Sequence, residues 1–401
     1  MAAGFILDLV ADTLNLKNLK PDVPEEFRDV YSSENYRRSQ EYTRTKTKFS
    51  NVAALVNLVL TVGFWQAGGF NYADTLVSGW TDNAIIRGIL FTAILTFLSS
   101  LVSLPFDIYS TFVTEEKYGF NKTTPKVFVA DYAKSLALSV IIGVPLIALV
   151  LYIFQSAGDY AWLIGFGAVT VFSLFLQLLY PRFIMPLFNK FVPLKNEELR
   201  TAINDYARSV NFPLSNIYEM DGSRRSAKSN AFFTGFGRFK KIALFDTLIE
   251  KHTVKELVAI LAHEIGHYKK KHIMTGTIFS VLHSGVVFWL LSVFLSHKGL
   301  YDAFYMDKPE VYSGMVFFAL LYGPVEVILG LLLNIVSRSN ERAADKFAAE
   351  TTGDPDSMIA ALKKLSEHNL SNLTPHKFYV FVNYSHPPLA ERIENIRKLK
   401  P

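Results

Sequence analysis

Six stretches of this 401-residue chain are long and apolar enough to cross a lipid bilayer, and no other feature restricts its fold so strongly. They run approximately from Ser50 to Phe70, Gly88 to Phe106, Ser135 to Phe154, Tyr160 to Tyr180, Ile273 to Leu295 and Tyr312 to Val336. A bilayer core holds no water to satisfy backbone N–H and C=O groups, so each run is expected as a helix of roughly 20 residues. A large soluble protein can bury one such helix in its core, but not six. The composition agrees: 50% of the residues are AVILMFWYC, 33 are Phe and only 19% are charged, against about 25% in an ordinary soluble chain. The expected fold is an α-helical polytopic membrane protein, with four transmembrane helices in residues 1–188 and two in 272–336.

Lys and Arg orient the loops, because cytoplasmic loops carry the excess of positive charge. The segment before the first run holds Lys17, Lys20, Arg28, Arg37, Arg38, Arg44, Lys46 and Lys48, whereas Asn71 to Asn83 holds none. The contrast repeats along the chain, and the stretch from Lys190 to Lys271 ends in Lys269-Lys270-Lys271. Both termini and the 189–271 segment are therefore expected on the cytoplasmic side, and the sequons at Asn121 and Asn372 fall on the wrong side for glycosylation. Met1 to Leu16 contains Asp8 and Asp12 and lacks the basic start and cleavage site of a signal peptide, so it reads as an interfacial or partial helix. The formal net charge of +5 does not indicate nucleic-acid binding. Gly165-Phe166-Gly167 and Gly235-Phe236-Gly237 lack the rest of a nucleotide-loop pattern.

The chain has no Cys, so a catalytic metal must be held by His, Asp or Glu. His263-Glu264-Ile265-Gly266-His267 follows an uninterrupted helical run from Lys255. On a helix, positions four apart share a face, so both imidazoles can ligate one zinc ion while Glu264 reaches the water that the ion activates. A chance coincidence on a solvated helix would place idle charged groups among apolar neighbours, at a cost. Catalytic zinc needs a third protein ligand and an open fourth position. A further His six residues after His267 would continue the motif, but Ile273 stands there. Glu341, just past the last run, is the best candidate. Asp345 lies one turn later on the same face, where it could accept the remaining N–H of a metal-bound His. The bland alternative pairs Glu341 with Arg338 at a charged helix end. His272 and His283 are rivals, but His272 is expected to be turned away and His283 to lie buried in a span.

With these motifs quoted, the chain resembles the type 1 CAAX prenyl proteases, integral-membrane zinc endopeptidases that include the a-factor converting enzymes. The resemblance also covers Arg37 to Arg44, Glu115-Glu116-Lys117-Tyr118-Gly119-Phe120-Asn121, Pro186 to Phe191 and Ser229 to Gly235. It implies a mainly α cytoplasmic metalloprotease region of the gluzincin type, built from 189–271 and 337–401, with one Zn2+ per chain and a water-filled chamber between the spans. Members commonly have seven spans, and the first would precede Leu16. Asn230 to Phe236 and Lys240 to Asp246 read as a short hairpin. By resemblance its first strand, Asn230, Ala231, Phe232, Phe233, Thr234 and Gly235, receives the substrate backbone. His386, which alone would read as a helix cap, and Arg392 are implied as catalytic groups beside the metal, with His386 donating to an oxyanion.

The expected reaction is removal of the C-terminal tripeptide from prenylated CAAX substrates, with a second, upstream cleavage in members that process precursors. The expected membrane is the endoplasmic reticulum in a eukaryote and the cytoplasmic membrane in a prokaryote. Two rival readings are a membrane quality-control metalloprotease and a transporter with a structural metal. The transporter reading requires a closed site of four protein ligands and leaves Glu264 without a role.

Overall fold

The structure is a computed structural model that describes residues 1–234 and 241–399, apart from the side chains of 232–234 and 241. Gly235 and the turn of the expected hairpin lie outside the described residues. Four long helices occupy the N-terminal half after a short helix α1 (Ala2–Lys17). They are α2 (Ser33–Gln66), α3 (Ala84–Glu115), α4 (Pro125–Ser156) and α5 (Gly158–Phe188). Their starts follow local chemistry. Ser32, Asn83 and Thr124 each accept a first-turn backbone N–H, and Pro125, having no N–H to lose, occupies the opening turn of α4. The π-helical turn Ser139–Gly143 lies just before Pro145 and the turn Tyr180–Ile184 contains Pro181, so the missing donor is accommodated by a locally widened helix.

The described residues of 189–269 fold as a four-stranded sheet with helices on it. The strands are β1 (Phe191–Pro193), β2 (Asn216–Met220), β3 (Ala231–Thr234) and β4 (Lys241–Phe245), in the order β1-β2-β4-β3. β3 pairs antiparallel with β4, Ala231 opposite Leu244 and Thr234 opposite Lys241, as the hairpin expectation requires. β2 runs parallel to β4 and antiparallel to β1. Ile217, Ile242 and Leu244 meet Leu199 and Ile203 of α6 (Glu197–Ser209) and Leu257 and Leu261 of α7 (Val254–Lys269) in one buried core.

α8 (His272–Leu295) is the fifth span. The sixth is not the straight helix expected over Tyr312 to Val336. α9 (Val311–Leu321) and α10 (Gly323–Thr352) meet at a bend of 54°, because Pro324 removes a backbone donor and crowds the preceding turn. α10 then runs on without interruption to Thr352. The chain closes with α11 (Pro355–His368), α12 (Lys377–Asn383) and α13 (Leu389–Arg397). A second core joins Phe27, Tyr31 and Tyr36 to Ala259, Ala349 and Ile393, so the N-terminal segment, α7 and the C-terminal helices lie on one side of the spans. At the opposite end the short helices Gly69–Ser78 and Lys298–Ala303 bring Phe70 and Phe304 onto Phe317, with Phe304 and Phe317 stacked at 4.0 Å.

Between these two ends the spans touch sparsely. At most 17% of the apolar window in the five unbroken spans is buried. Thr92, Thr96, Ser99, Ser103 and Asp107 form a helical row on α3 along a cavity of about 380 Å³. Thr170, Ser173 and Gln177 on α5 face Thr277, Ser280 and Ser284 on α8 across another of about 440 Å³. Polar rows of this kind avoid hydrocarbon and face protein or water.

Candidate metal centre

The centre begins with helix α7, whose first turn is locked by a reciprocal capping box between Thr253 and Glu256. Leu257, Leu261 and Ile265 bury one face, which leaves His263 and His267 side by side facing α10. Close approach of the two helices depends on Gly266. A Cβ there would lie 3.2 Å from both the Cα and the carbonyl oxygen of Ala344. With that gap closed, Glu341 and Asp345 of α10 reach the imidazoles.

His263 Nε2 and His267 Nε2 are 3.0 Å apart. Glu341 Oε2 lies 3.4 Å from the first and Glu341 Oε1 3.1 Å from the second. His263, His267 and Glu341 form a group able to hold a metal ion, with ligand atoms all within 4.8 Å of one another. Glu341 Oε2 is buried and has no aligned hydrogen bond. Arg338 does not neutralise it. Its Nη1 donates instead to the carbonyls of Tyr384, at 2.6 Å, and Val380, at 3.3 Å. The charged-helix-end alternative therefore does not describe this site.

The outer nitrogen of each imidazole also has a neighbour. Asp345 Oδ1 lies 2.8 Å from His263 Nδ1, as the one-turn spacing predicts, although off hydrogen-bond alignment. Arg392 grips the same carboxylate with two bonds, Nε to Oδ2 at 2.8 Å and Nη2 to Oδ1 at 2.6 Å. His267 Nδ1 meets His272 Nδ1 at 3.0 Å. The expectation that His272 turns away is thus corrected. It assumed a continuous helix, but the chain leaves α7 at Lys270 and passes through a left-handed Lys271, φ 61°, which swings His272 back. His283 sits elsewhere, half-buried rather than buried as expected, because its Nε2 turns to Tyr322 Oη at 2.9 Å and Glu326 Oε2 at 3.2 Å.

Charge in the site favours a cation. Burial works against protonation of His263, yet the Asp345 and Glu341 carboxylates outweigh it and raise its pKa to about 9. Burial raises the pKa of Glu264, an effect partly opposed by the two imidazoles. His386 arrives on the segment between α12 and α13, mostly exposed, with Nδ1 2.9 Å from Glu341 Oε2. β3 packs against α7 and, among the described residues, pairs only with β4. The sequence reading gave Gly266 no role and offered Arg338 only as a partner for Glu341. Gly266 was visible as the only residue without a side chain in the His motif.

Spanning helices around a two-histidine, one-glutamate centre with an adjacent free carboxylate define an integral-membrane metalloprotease. A family model described as CAAX prenyl protease N-terminal, five membrane helices, matches residues 12–190, and that of peptidase family M48 matches residues 193–400. The chain belongs to peptidase family M48, with the CAAX prenyl protease N-terminal region. Within 12–190 the described residues hold four candidate spans. The 16 residues of α1 reach only about 24 Å, short of a hydrocarbon core of about 30 Å.

The chain is 35% identical to CAAX prenyl protease 1 of Saccharomyces cerevisiae, over 92% of this chain and 87% of that protein. It is 36% identical to the probable CAAX prenyl protease 1 of Schizosaccharomyces pombe, over 98% and 87%, and 32% identical to the human CAAX prenyl protease 1 homolog, over 94% and 89%. The crystal structure of S. mikatae Ste24p superposes with a TM-score of 0.92 at 34% identity, covering 98% of this chain and 96% of that one.

Proposed function

We propose that this protein is a zinc endopeptidase that removes the C-terminal tripeptide from prenylated CAAX proteins, with its protease region, 189–271 and 337–401, on the cytoplasmic face of its membrane. The observation that carries the reading is the convergence of His263 Nε2, His267 Nε2 and the Glu341 carboxylate at 3.0 to 3.4 Å. Ligand atoms on a tetrahedral zinc at about 2.0–2.1 Å lie about 3.3 Å apart, so the residues present fit that ion. When bound, zinc supplies Lewis acidity and lowers the pKa of a water to near neutrality.

The remaining work falls to the chain. Glu264 makes no hydrogen bond to the described residues and is free to accept the proton of the attacking water. His386, exposed beside Glu341, donates to the developing oxyanion. Asp345 and His272 hold the two ligand imidazoles by their outer nitrogens, and Arg392 holds Asp345. Arg392 therefore acts as a positioning residue. The β3 edge, Ala231–Thr234, takes up the substrate main chain, a mode that makes little demand on side chains. The polar rows on α3, α5 and α8 support a hydrated interior that such a peptide can enter. Purified protein should contain one zinc per chain and release the tripeptide from a farnesylated CAAX peptide. Full zinc loading without tripeptide release would refute the substrate assignment.

A further inference from the structure

The motifs around Tyr42, Glu115 and Lys228 take no part in the chemistry above, yet they converge. Lys228 Nζ donates to Tyr42 Oη at 2.7 Å and to Glu115 Oε2 at 2.9 Å, and Tyr42 Oη donates to Glu115 Oε1 at 2.6 Å. The ring of three is closed. The ammonium also sits 4.4 Å from the centre of the Phe120 ring and 5.0 Å from that of Tyr42, a stabilising placement for a cation. Tyr42, Tyr118, Phe120 and Leu370 wall the cluster as a small buried core. Burial lowers the pKa of Lys228, and the Glu115 carboxylate opposes that shift.

Backbone contacts join the same two segments. Asn121 and Ser226 form an antiparallel bridge, Lys122 N donates to Arg225 O at 3.0 Å, and Ala227 N donates to Phe120 O at 3.0 Å. One residue after Lys228, Ser229 exchanges two bonds with the Asn369 side chain, and β3 begins at Ala231. The loops of the membrane half thus hold the residues that lead directly into the edge strand.

We propose that Tyr42, Glu115 and Lys228 are positioning residues that anchor the start of β3 to the membrane half and so set the register in which a peptide meets the metal centre. This rests on the reading of β3 as the substrate edge. Main-chain pairing carries no register of its own, and one residue of slip displaces the scissile bond by about 3.3 Å. The anchor supplies the missing reference. It lies in different elements from the His pair and Glu341, so its loss should disturb binding and leave metal in place.

The test compares Lys228→Met, Glu115→Gln and the double variant, using full-length protein and a farnesylated CAAX peptide. Each single should keep stoichiometric zinc but lose about tenfold or more in kcat/KM, with part of the peptide cut one residue away from the wild-type bond. The double, which leaves no lone buried charge, should be no worse than the worse single, because coupled partners are not additive. It also keeps the question open to measurement where a single variant fails to fold. A kcat/KM within about twofold of wild type, or a loss with every product still cut at the wild-type bond, would overturn the proposal. Amide exchange over residues 226–234 tests it without any substrate. Faster exchange in the zinc-loaded singles supports the anchor, and unchanged exchange overturns it. If wild-type protein itself fails to cleave the peptide, the reading of the function is at fault, and amide exchange alone decides on the anchor.

Discussion

In the proposed centre His263, His267 and Glu341 are the three ligands, while Glu264 stands beside them with no hydrogen bond among the described residues, so binding and chemistry should separate by mutation. Glu264→Gln keeps every ligand and should retain full metal by elemental analysis. Its turnover should fall by about 10² to 10⁴, the usual worth of a general base, with little change in peptide affinity. Replacing His263, His267 or Glu341 by Ala should abolish stoichiometric metal and activity together; full occupancy in Glu341→Ala would remove it from the ligand set. His272→Ala is the intermediate case. It leaves all three ligands but takes away the acceptor beside His267 Nδ1, 3.0 Å away, so affinity for zinc in a chelator competition should drop about 10- to 100-fold. The His pair was legible in the sequence because four-residue spacing and one helix suffice to describe it. His272 was not, because its approach depends on a left-handed Lys271 that no local pattern announces.

The approach of α7 to α10 decides whether the ligands meet at all. Gly266→Val would force branched carbon into the backbone of Ala344, where even a single Cβ stands at 3.2 Å. Overpacking of this kind costs about 1–3 kcal/mol, and here it also pulls Glu341 from the imidazoles. The variant should melt at lower temperature and bind zinc more weakly; an unchanged zinc affinity would mean that the helices adjust without moving Glu341. At this scale the long helices were readable from apolar length and the hairpin partner from its flanking turn residues. β1 and β2 were not: β2 is as long as β4, but no tight turn joins it to either of its partners in the sheet. The bend in the sixth span was signalled by Gly323-Pro324, and apolar length alone conceals it.

Across the whole molecule, the core that joins Phe27 and Tyr31 to Ala259, Ala349 and Ile393 requires an even number of crossings between these segments. A tag near Arg225 and a reporter after Pro401 should therefore report the same face in an accessibility assay, and opposite faces would show that the bent pair α9 and α10 does not complete a crossing. Charge bias along the loops already implied this arrangement. What the sequence could not convey was how lightly the spans pack, because apolar runs look alike whether a helix faces lipid, protein or water. The order of the site along the chain has a further consequence, for the timing of synthesis. The His pair is made first, Glu341 and Asp345 follow, and Arg392, whose two bonds neutralise Asp345, comes 47 residues after it, beyond α11 and α12. A nascent chain that has emerged only as far as α10 carries two buried carboxylates with no guanidinium between them, so its cradle is electrostatically unfinished. The charge balance of the cradle is complete only once α13 has docked on α10.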